Sequence, residues 1–415
     1  MKATAMQTLA ERWAGELDSL QTDGSEGWML ELRKRASAEF AAAGLPHRKV
    51  EEWKYTPMRL LADADPSLAV SSPGPAGFAE PLADADARLD MAGGVVAGSL
   101  PELPGGATLL PFSEAPEHLA GRLRALAEAL EISGPDRAFA ALNTAFLGQG
   151  LVLHVPAGAD AGRLLLRWGS VESAAASFSQ ARIVLLLEDE AKLELIEQFN
   201  SGADGALNVI IQAELGERAE WRHVRIQNES EAAILFTSTL VEQGSESRYT
   251  CRGFDLGGGL VRHEFSTVLA GEGAHADLGG AFVLDRRRHV DNHISVDHKA
   301  PNCSSEQFFR GVLGGRSRGV FNGRALIRKG ADGSSVAQSN ANLLLSRLAE
   351  IDTKPELEIY ADEVEASHGA TVGQLDELAV FYLRSRGLSD DQARRVLTSA
   401  FCHAVSDRLE DKALA

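Results

Sequence analysis

Apolar residues recur at helical spacing from Thr4 to Leu20 and from Gly27 to Ala43, and Gly44 and Pro46 close the second run, so the chain opens on a helical region. From Ala62 to Ala115 the periodicity fades into an Ala, Asp, Gly and Pro-rich stretch that includes Ser71 to Gly77 and reads as loop with short elements. Helical spacing returns from Pro116 to Ile132 through Leu119, Leu123, Leu126 and Leu130, and again from Asp136 to Leu147. The period then changes. Short apolar or alternating runs follow at 151–155, 164–168, 183–187, 193–198, 209–213, 221–226 and 234–241, and a strand-rich pattern extends to about Ile327.

These strands carry a repeat. Gly216 to Trp221, Gly244 to Tyr249 and Gly271 to Ala276 share a turn glycine, a small residue three positions later and an apolar or aromatic residue five later; Glu188 to Leu193 fits the same frame without its glycine. The starts at 188, 216, 244 and 271 lie 28, 28 and 27 residues apart. A near-constant period in this range favours a solenoid over a large antiparallel sandwich, because each coil buries its apolar face only by stacking on the next. The outermost coil then leaves a sheet edge that a partner can cover.

Towards the C-terminus Leu357, Ile359 and Ala361 alternate with Glu358, Tyr360 and Asp362, which reads as a half-buried strand; Ser367-His368-Gly369 follows, and a helix begins near Asp376. His368 is thus expected where a strand gives way to a helix. That helix ends in Arg384, Ser385, Arg386 and Gly387, with cations at the carbonyl end of its dipole. A last helix starts at Ser389 with Asp390 and Asp391 in its first turn, and Ala393, Val396, Leu397, Ala400, Phe401, Ala404 and Val405 form one apolar face that must pack on something.

Composition narrows the functional classes. At 415 residues, 44% hydrophobic and 24% charged, the chain is long enough for two or three packed units. A formal net charge of -18 argues against an unassisted nucleic-acid or anionic-membrane binder, and the Arg286-Arg287-Arg288 run is too short to reverse it. Cys251, Cys303 and Cys402 are far apart, with neither a disulfide framework nor a thiolate zinc module, which fits a reducing cytoplasm. No export signal or membrane span is written in the sequence.

Candidate chemistry is sparse. His289, His293 and His298 lie with Asp291, Asp297 and Cys303, but His289 and His293 would stand about 13 Å apart on one strand face, so hydrogen bonding is favoured over a zinc site. Cys251 and Cys303 read as small core residues, His263-Glu264 as a surface pair, and Asp255 to Gly259 as a turn, since a phosphate loop would need a lysine and a following helix. No phosphate-binding Gly-x-x-x-x-Gly-Lys-Ser/Thr stretch exists, so the chain is not expected to hydrolyse ATP itself. His368, whose imidazole suits iron as well as zinc, is the site candidate, although a lone histidine at a strand end is more often structural. Glu365 and Asp362 are weaker candidates beside it and read first as solvated strand-end charges.

Pro355 to Asp362, Ser367 to Gly373 and Phe381 to Gly387, in that order and spacing, resemble the C-terminal signature of the SufB/SufD family of SUF iron-sulfur cluster assembly scaffolds. Ala300 to Phe309 and Gly319 to Gly323 resemble its core. Gly44 to Pro46, Arg48-Lys49 and Glu51 to Pro57 are similar to the N-terminal signature of the SufD branch, and the absence of cysteine from the first 250 residues points the same way. The resemblance implies a right-handed parallel β-helix flanked by helical regions, divided here as 1–148, 149–365 and 366–415. It implies a non-catalytic scaffold that pairs with SufB through the β-helix edge and docks the SufC ATPase on its C-terminal helices, with Phe381, Tyr382, Arg384, Arg386 and Phe401 as docking candidates. It also implies that His368 contributes to a nascent iron-sulfur cluster shared with SufB, and only in that complex. Many relatives carry a cysteine two residues before this histidine; Ala366 stands there, so thiolates must come from the partner. Reduced flavin is associated with the family's complex, but no dinucleotide fingerprint supports its binding to this chain. A homodimer through the same edge is a further expectation. The rival readings are a self-contained metal-binding protein and a β-helix polysaccharide-processing enzyme.

Overall fold

The structure, a computed structural model, describes residues 2–20, 27–68, 76–171, 177–200 and 205–409, so Ser71 to Pro75 of the connector lie outside the described residues. The helices α1 (Lys2–Leu20) and α2 (Trp28–Ala43) form where the apolar spacing puts them, and α3 (Arg59–Ala64) follows. The stretch read as loop with short elements contains β1 (Ser67–Leu68), β2 (Ala76–Gly77), β3 (Ala87–Ala92), β4 (Val95–Val96) and β5 (Thr108–Pro111). Among these short elements β3 alternates Ala87, Leu89 and Met91 with Arg88 and Asp90 and pairs in parallel with a later strand. Next come α4 (Glu117–Ala129), α5 (Ala138–Ala145), β6 (Leu151–Val155) and β7 (Asp160–Val171).

From there the chain winds through about 7 coils of two strands each. They are β8 (Ser177–Leu187) with β9 (Lys192–Phe199), β10 (Ala206–Leu215) with β11 (Glu220–Gln227), β12 (Ile234–Gln243) with β13 (Arg248–Asp255), and β14 (Leu260–Leu269) with β15 (His275–Leu284). Then follow β16 (His289–His298) with β17 (Ser304–Leu313), β18 (Arg318–Ile327) with β19 (Ser334–Leu344), and β20 (Glu350–Ile359) with β21 (Val364–Gly373). From β6 onward even-numbered strands stack in a 10-stranded sheet and odd-numbered strands in an 11-stranded one, and every coil-to-coil pairing is parallel. The protein is therefore mainly β, a two-sheet solenoid with helices at both ends of the chain. It continues past residue 365 to Gly373, and the C-terminal helices α6 (Glu377–Ser385) and α7 (Asp390–Ser406) begin only after it.

The repeat has a physical cause at each of its positions. A Cβ on Gly271 would stand 2.0 Å from the Ser245 nitrogen and one on Gly216 2.6 Å from the Asp189 nitrogen, so glycine is needed for the approach of the preceding coil. Two residues later the backbone turns left-handed, at Glu190, Arg218, Glu246 and Gly273, with φ of 61°, 56°, 55° and 71°. The small residue of the frame, Ala191, Ala219, Ser247 or Ala274, is fully enclosed. The residue five from the start points inward, and Trp221 stacks on Tyr249 of the next coil with ring centres 4.6 Å apart.

Both faces of the 10-stranded sheet are used. Its inner face joins the solenoid core through Ile183, Ile211, Val261 and Ile294, and its outer face packs on the N-terminal region through Phe178, Ile210 and Phe236. Trp13 of α1 stacks on Phe178 at 5.1 Å, and Phe139 of α5 stacks on Phe236 at 4.2 Å. The stretch from Glu51 to Pro57 fastens this cover to the later coils. Arg262, buried on the outer face, lies 4.1 Å over the Trp53 ring, donates to Glu52 O at 2.9 Å and Thr56 Oγ1 at 2.8 Å, and reaches Asp291 Oδ2 at 2.9 Å. Thr56 also hydrogen-bonds Asp291, and His293 Nε2 stands 2.8 Å from the other carboxylate oxygen.

At the other end, Asp376 caps α6 by accepting from Leu378 N, and Ser389 with Gln392 forms a capping box on α7. The two helices pack through Val380, Leu383, Ala393 and Leu397. α7 folds back on the outer face of the 11-stranded sheet, where Arg310 and Arg408 each lie 3.8 Å from the Phe308 ring and Arg408 pairs with Glu306 at 2.6 Å.

Candidate functional site

The final coil has a neighbour on one side only. β20 and β21 are the terminal strands of their sheets, and their outward-facing edges carry backbone groups that no strand among the described residues pairs. His368 sits in the middle of β21. This corrects the expectation of a strand-to-helix junction: the alternating run ends at Ile359, and a second strand of small and polar residues, from Val364 to Gly373, carries the histidine. That strand was missed because its composition lacks an apolar face, and it lacks one because the strand covers nothing.

Register decides where His368 points. It pairs with Gln338, and residues paired across a parallel ladder share a face. Val336, Gln338, Asn340 and Asn342 are buried inside the solenoid, so Ala366, His368 and Ala370 project on the inner side of the open coil, where they are exposed. The imidazole makes no hydrogen bond to a described residue. Glu365 pairs with Ser335 and lies on the opposite face, while Asp362 occupies the turn before β21, its backbone nitrogen donating to Asp332 Oδ1 at 3.1 Å. The structure does not bring either acid together with His368. Among the described residues no group of three or more His, Cys, Asp or Glu could hold a metal ion, so any ion at His368 needs ligands from elsewhere.

Behind this end the interior carries a row of polar side chains beside its apolar ones, which sequence reading missed. Thr353 donates to Asn340 Oδ1 at 2.9 Å and Asn342 to Asn340 Oδ1 at 2.6 Å; deeper in, Gln338 and Gln307 each donate to a backbone oxygen of β18. Deeper still, His223 Nε2 lies 2.9 Å from Glu197 and its Nδ1 3.8 Å from the Cys251 sulfur. Burial opposes the charge on His223, but Cys251 and Glu197 outweigh it and hold the imidazole up at about 9. Burial raises the Cys251 thiol, yet His223 and Arg225 bring it below the ordinary range. Cys251 is thus buried, as a core residue should be, but in a charged cluster. The detectable signal was register, since His223 and Cys251 are 28 residues apart, one repeat. His263, read as half of a surface pair, is also inside, 2.9 Å from Asp255, whereas Glu264 alternates outward to Arg262.

Of the central histidines, His293 and His298 make hydrogen bonds, whereas the buried Nε2 of His289 meets no described partner. His298 Nε2 meets Ser305 Oγ at 2.8 Å, and burial pushes both His289 and His298 down to about 4. On the C-terminal helices, Phe381 and Tyr382 are 67% and 57% exposed, joined by Leu378 at 76% one turn away. Arg386 lies over the Tyr382 ring and Arg384 pairs with Asp390, both at the surface, whereas Phe401 turns towards Arg310 on the solenoid.

A fold of stacked coils with helical ends is common to many activities, and comparison with known proteins narrows it. Residues 170–401, more than half of the chain, match the family described as SUF system FeS cluster assembly, SufBD core domain, and residues 4–72 match the SufBD protein N-terminal region. The chain belongs to the SufB/SufD family. The SufBD core match runs from the end of β7 into α7, so it contains the open coil, His368, α6 and most of α7. The N-terminal match contains the Glu51 to Pro57 fastening. A SufBD family protein of Synechocystis, named for iron-sulfur cluster assembly, is 28% identical over 412 residues, 94% of this chain and 90% of its own length. The iron-sulfur cluster assembly protein SufD of Escherichia coli is 32% identical over 236 residues, 55% of this chain and 54% of its own. A SufBD family protein of Mycobacterium leprae is 35% identical over 162 residues, 37% and 41% of the two chains. Membership places this chain in SUF iron-sulfur cluster assembly.

Proposed function

We propose that the chain is the SufD-side scaffold of that machinery, itself non-catalytic, pairing with SufB through the open coil and presenting α6 and α7 to the SufC ATPase in a reducing cytoplasm. The observation that carries this reading is His368, exposed and unpartnered on a terminal strand whose edge is open. Its cargo is a nascent iron-sulfur cluster, bound across the junction. The imidazole supplies one nitrogen ligand to iron. Ala366, one inner-face position away, offers no sulfur, so thiolate ligands come from SufB. Parallel β-strand addition to β20 and β21 would satisfy their edge groups and extend the polar interior across the junction.

Co-purification with SufB and SufC, wild type beside His368→Ala, tests this. The variant complex is expected to keep its subunit ratio while its iron and sulfide fall about 10-fold, as for loss of a metal ligand. Unchanged iron and sulfide would remove His368 from the site, and failure of the wild type to form a complex would overturn the scaffold reading itself.

The exposed Leu378, Phe381 and Tyr382 stand at i, i+3 and i+4 on α6, the spacing of a single helix face offered to a groove. Phe381→Ala and Tyr382→Ala are each expected to weaken SufC binding by about 2 kcal/mol, roughly 30-fold in Kd, as measured by calorimetry. Phe401→Ala, on the solenoid side, is expected to act through stability instead. Equal SufC affinity for all three variants would move the docking surface elsewhere.

A further inference from the structure

Four turns stack along the edge where the chain passes from the 11-stranded sheet back to the 10-stranded one, at 256–259, 285–288, 314–317 and 345–349. Backbone bonds hold the last three in step: Gly314 N donates to Leu284 O at 2.8 Å, Arg316 N to Arg286 O at 2.6 Å, Arg318 N to Arg288 O at 2.9 Å and Leu345 N to Leu313 O at 2.8 Å. The Arg286-Arg287-Arg288 run, short in sequence, is thereby lengthened by Arg316, Arg318 and Arg347. Arg286 and Arg288 are countered by Glu231, and Arg318 by Asp352. Asp285, the acid inside the column, accepts from Arg286 N. Arg287, Arg316 and Arg347 are exposed, and no described residue pairs with their side chains. Beside Arg347, Leu345 and Leu348 are 46% and 58% exposed. A protein of net charge -18 thus concentrates three uncompensated cations, one per coil, next to an apolar step.

We propose that this edge docks an acidic amphipathic helix of a partner protein. Coils repeat every ~4.8 Å, so Arg287 to Arg347 spans about 10 Å. Carboxylates at i, i+4 and i+7 of a helix span about 10.5 Å at ~1.5 Å per residue, whereas same-face residues of an extended strand fall ~6.7 Å apart and overshoot to about 13 Å. Leu345 and Leu348 give the apolar side of such a helix a seat, which a phosphate backbone would not use. The docking edge does not include His368, which lies on β21, although its last turn leads into β20 of the open coil.

The test is fluorescence anisotropy of the full chain with a synthetic helical peptide bearing Glu at i, i+4 and i+7 and Leu on the flanking positions. Its Gln counterpart and a single-stranded oligothymidylate are measured alongside. The Glu peptide is expected to bind and to weaken as salt rises, because the cations are exposed. Arg287→Glu with Arg316→Glu and Arg347→Glu should reduce its affinity about 10-fold or more. Leu345→Ser with Leu348→Ser should weaken it while leaving the salt dependence intact. Equal binding of the Gln peptide, or unchanged binding by the arginine variant, overturns the proposal. Oligothymidylate binding as tight as the peptide's through the same arginines replaces it with a polyanion surface.

Discussion

Asp291→Ala is expected to cost about 3–5 kcal/mol of stability, the penalty for leaving a buried cation without its counter-charge. Arg262 is 2% exposed and uses Asp291, Glu264, Thr56 and the Trp53 ring to carry its charge away from water. Asp291, wholly enclosed, loses solvation on burial, yet His293 and Arg262 hold its carboxyl well below the usual range. Truncating the acid strands the guanidinium. It also frees Thr56 and loosens the N-terminal cover from the fourth and fifth coils. Urea unfolding measures the loss, and Arg262→Met combined with Asp291→Ala is expected to recover much of it, because an apolar pair needs no counter-charge. A single variant as stable as the wild type would mean that the fastening is ornamental.

Acid should act on the same region by a second route. His289 and His298 are buried with folded-state values of about 4, against ~6.5 for an unfolded histidine. His289 faces Asp291, Arg318, Arg262 and Asp352, and His298 faces Asp297, but desolvation dominates at both. Between these values the unfolded chain binds the extra protons. Stability is therefore fully present above about pH 6.5 and is lost as the pH falls towards 4, by at most about 3 kcal/mol per histidine. Below ~4 the Asp291 carboxylate adds a loss of the same sign, since its folded value is depressed. Urea midpoints from pH 7.5 to 4.5 should fall steadily for the wild type and less steeply for His289→Asn with His298→Gln. The same slope in both would assign the acid sensitivity to other groups, His263 first, since burial depresses it too.

Much of the architecture was legible because the solenoid repeats its physics. The repeat combines a left-handed residue and an inward aromatic or aliphatic side chain with, in three of its frames from Gly216 to Ala276, a close-approach glycine. The last coil was not legible as a coil. Val364 to Gly373 has no core to fill on its outer side, so it carries Ala, Ser, Gly and His instead of the apolar alternation that marks a strand. The interior charges were illegible for a related reason: alternation says which residues face inward, but only register says that Glu197, His223 and Cys251 meet there. At the candidate site His368 was identifiable from its motif, whereas the separation of Glu365 onto the other face depends on knowing that the motif is a strand. Phe381 and Tyr382 were named as docking candidates from the resemblance, whereas Leu378 joins them only through its exposure on the same helix face.

The backbone pairing of the coils also makes the solenoid a ruler. Every coil advances the chain by the same ~4.8 Å and keeps its cross-section, so distance along the axis comes in whole steps. The fastening at Arg262 and Asp291 lies on β14 and β16, and His368 lies on β21, a fixed number of graduations away. Insertion or loss of a complete period would shift the open end by one graduation without changing the shape of the surface that a partner meets, whereas a partial period would turn every inward side chain downstream out of line.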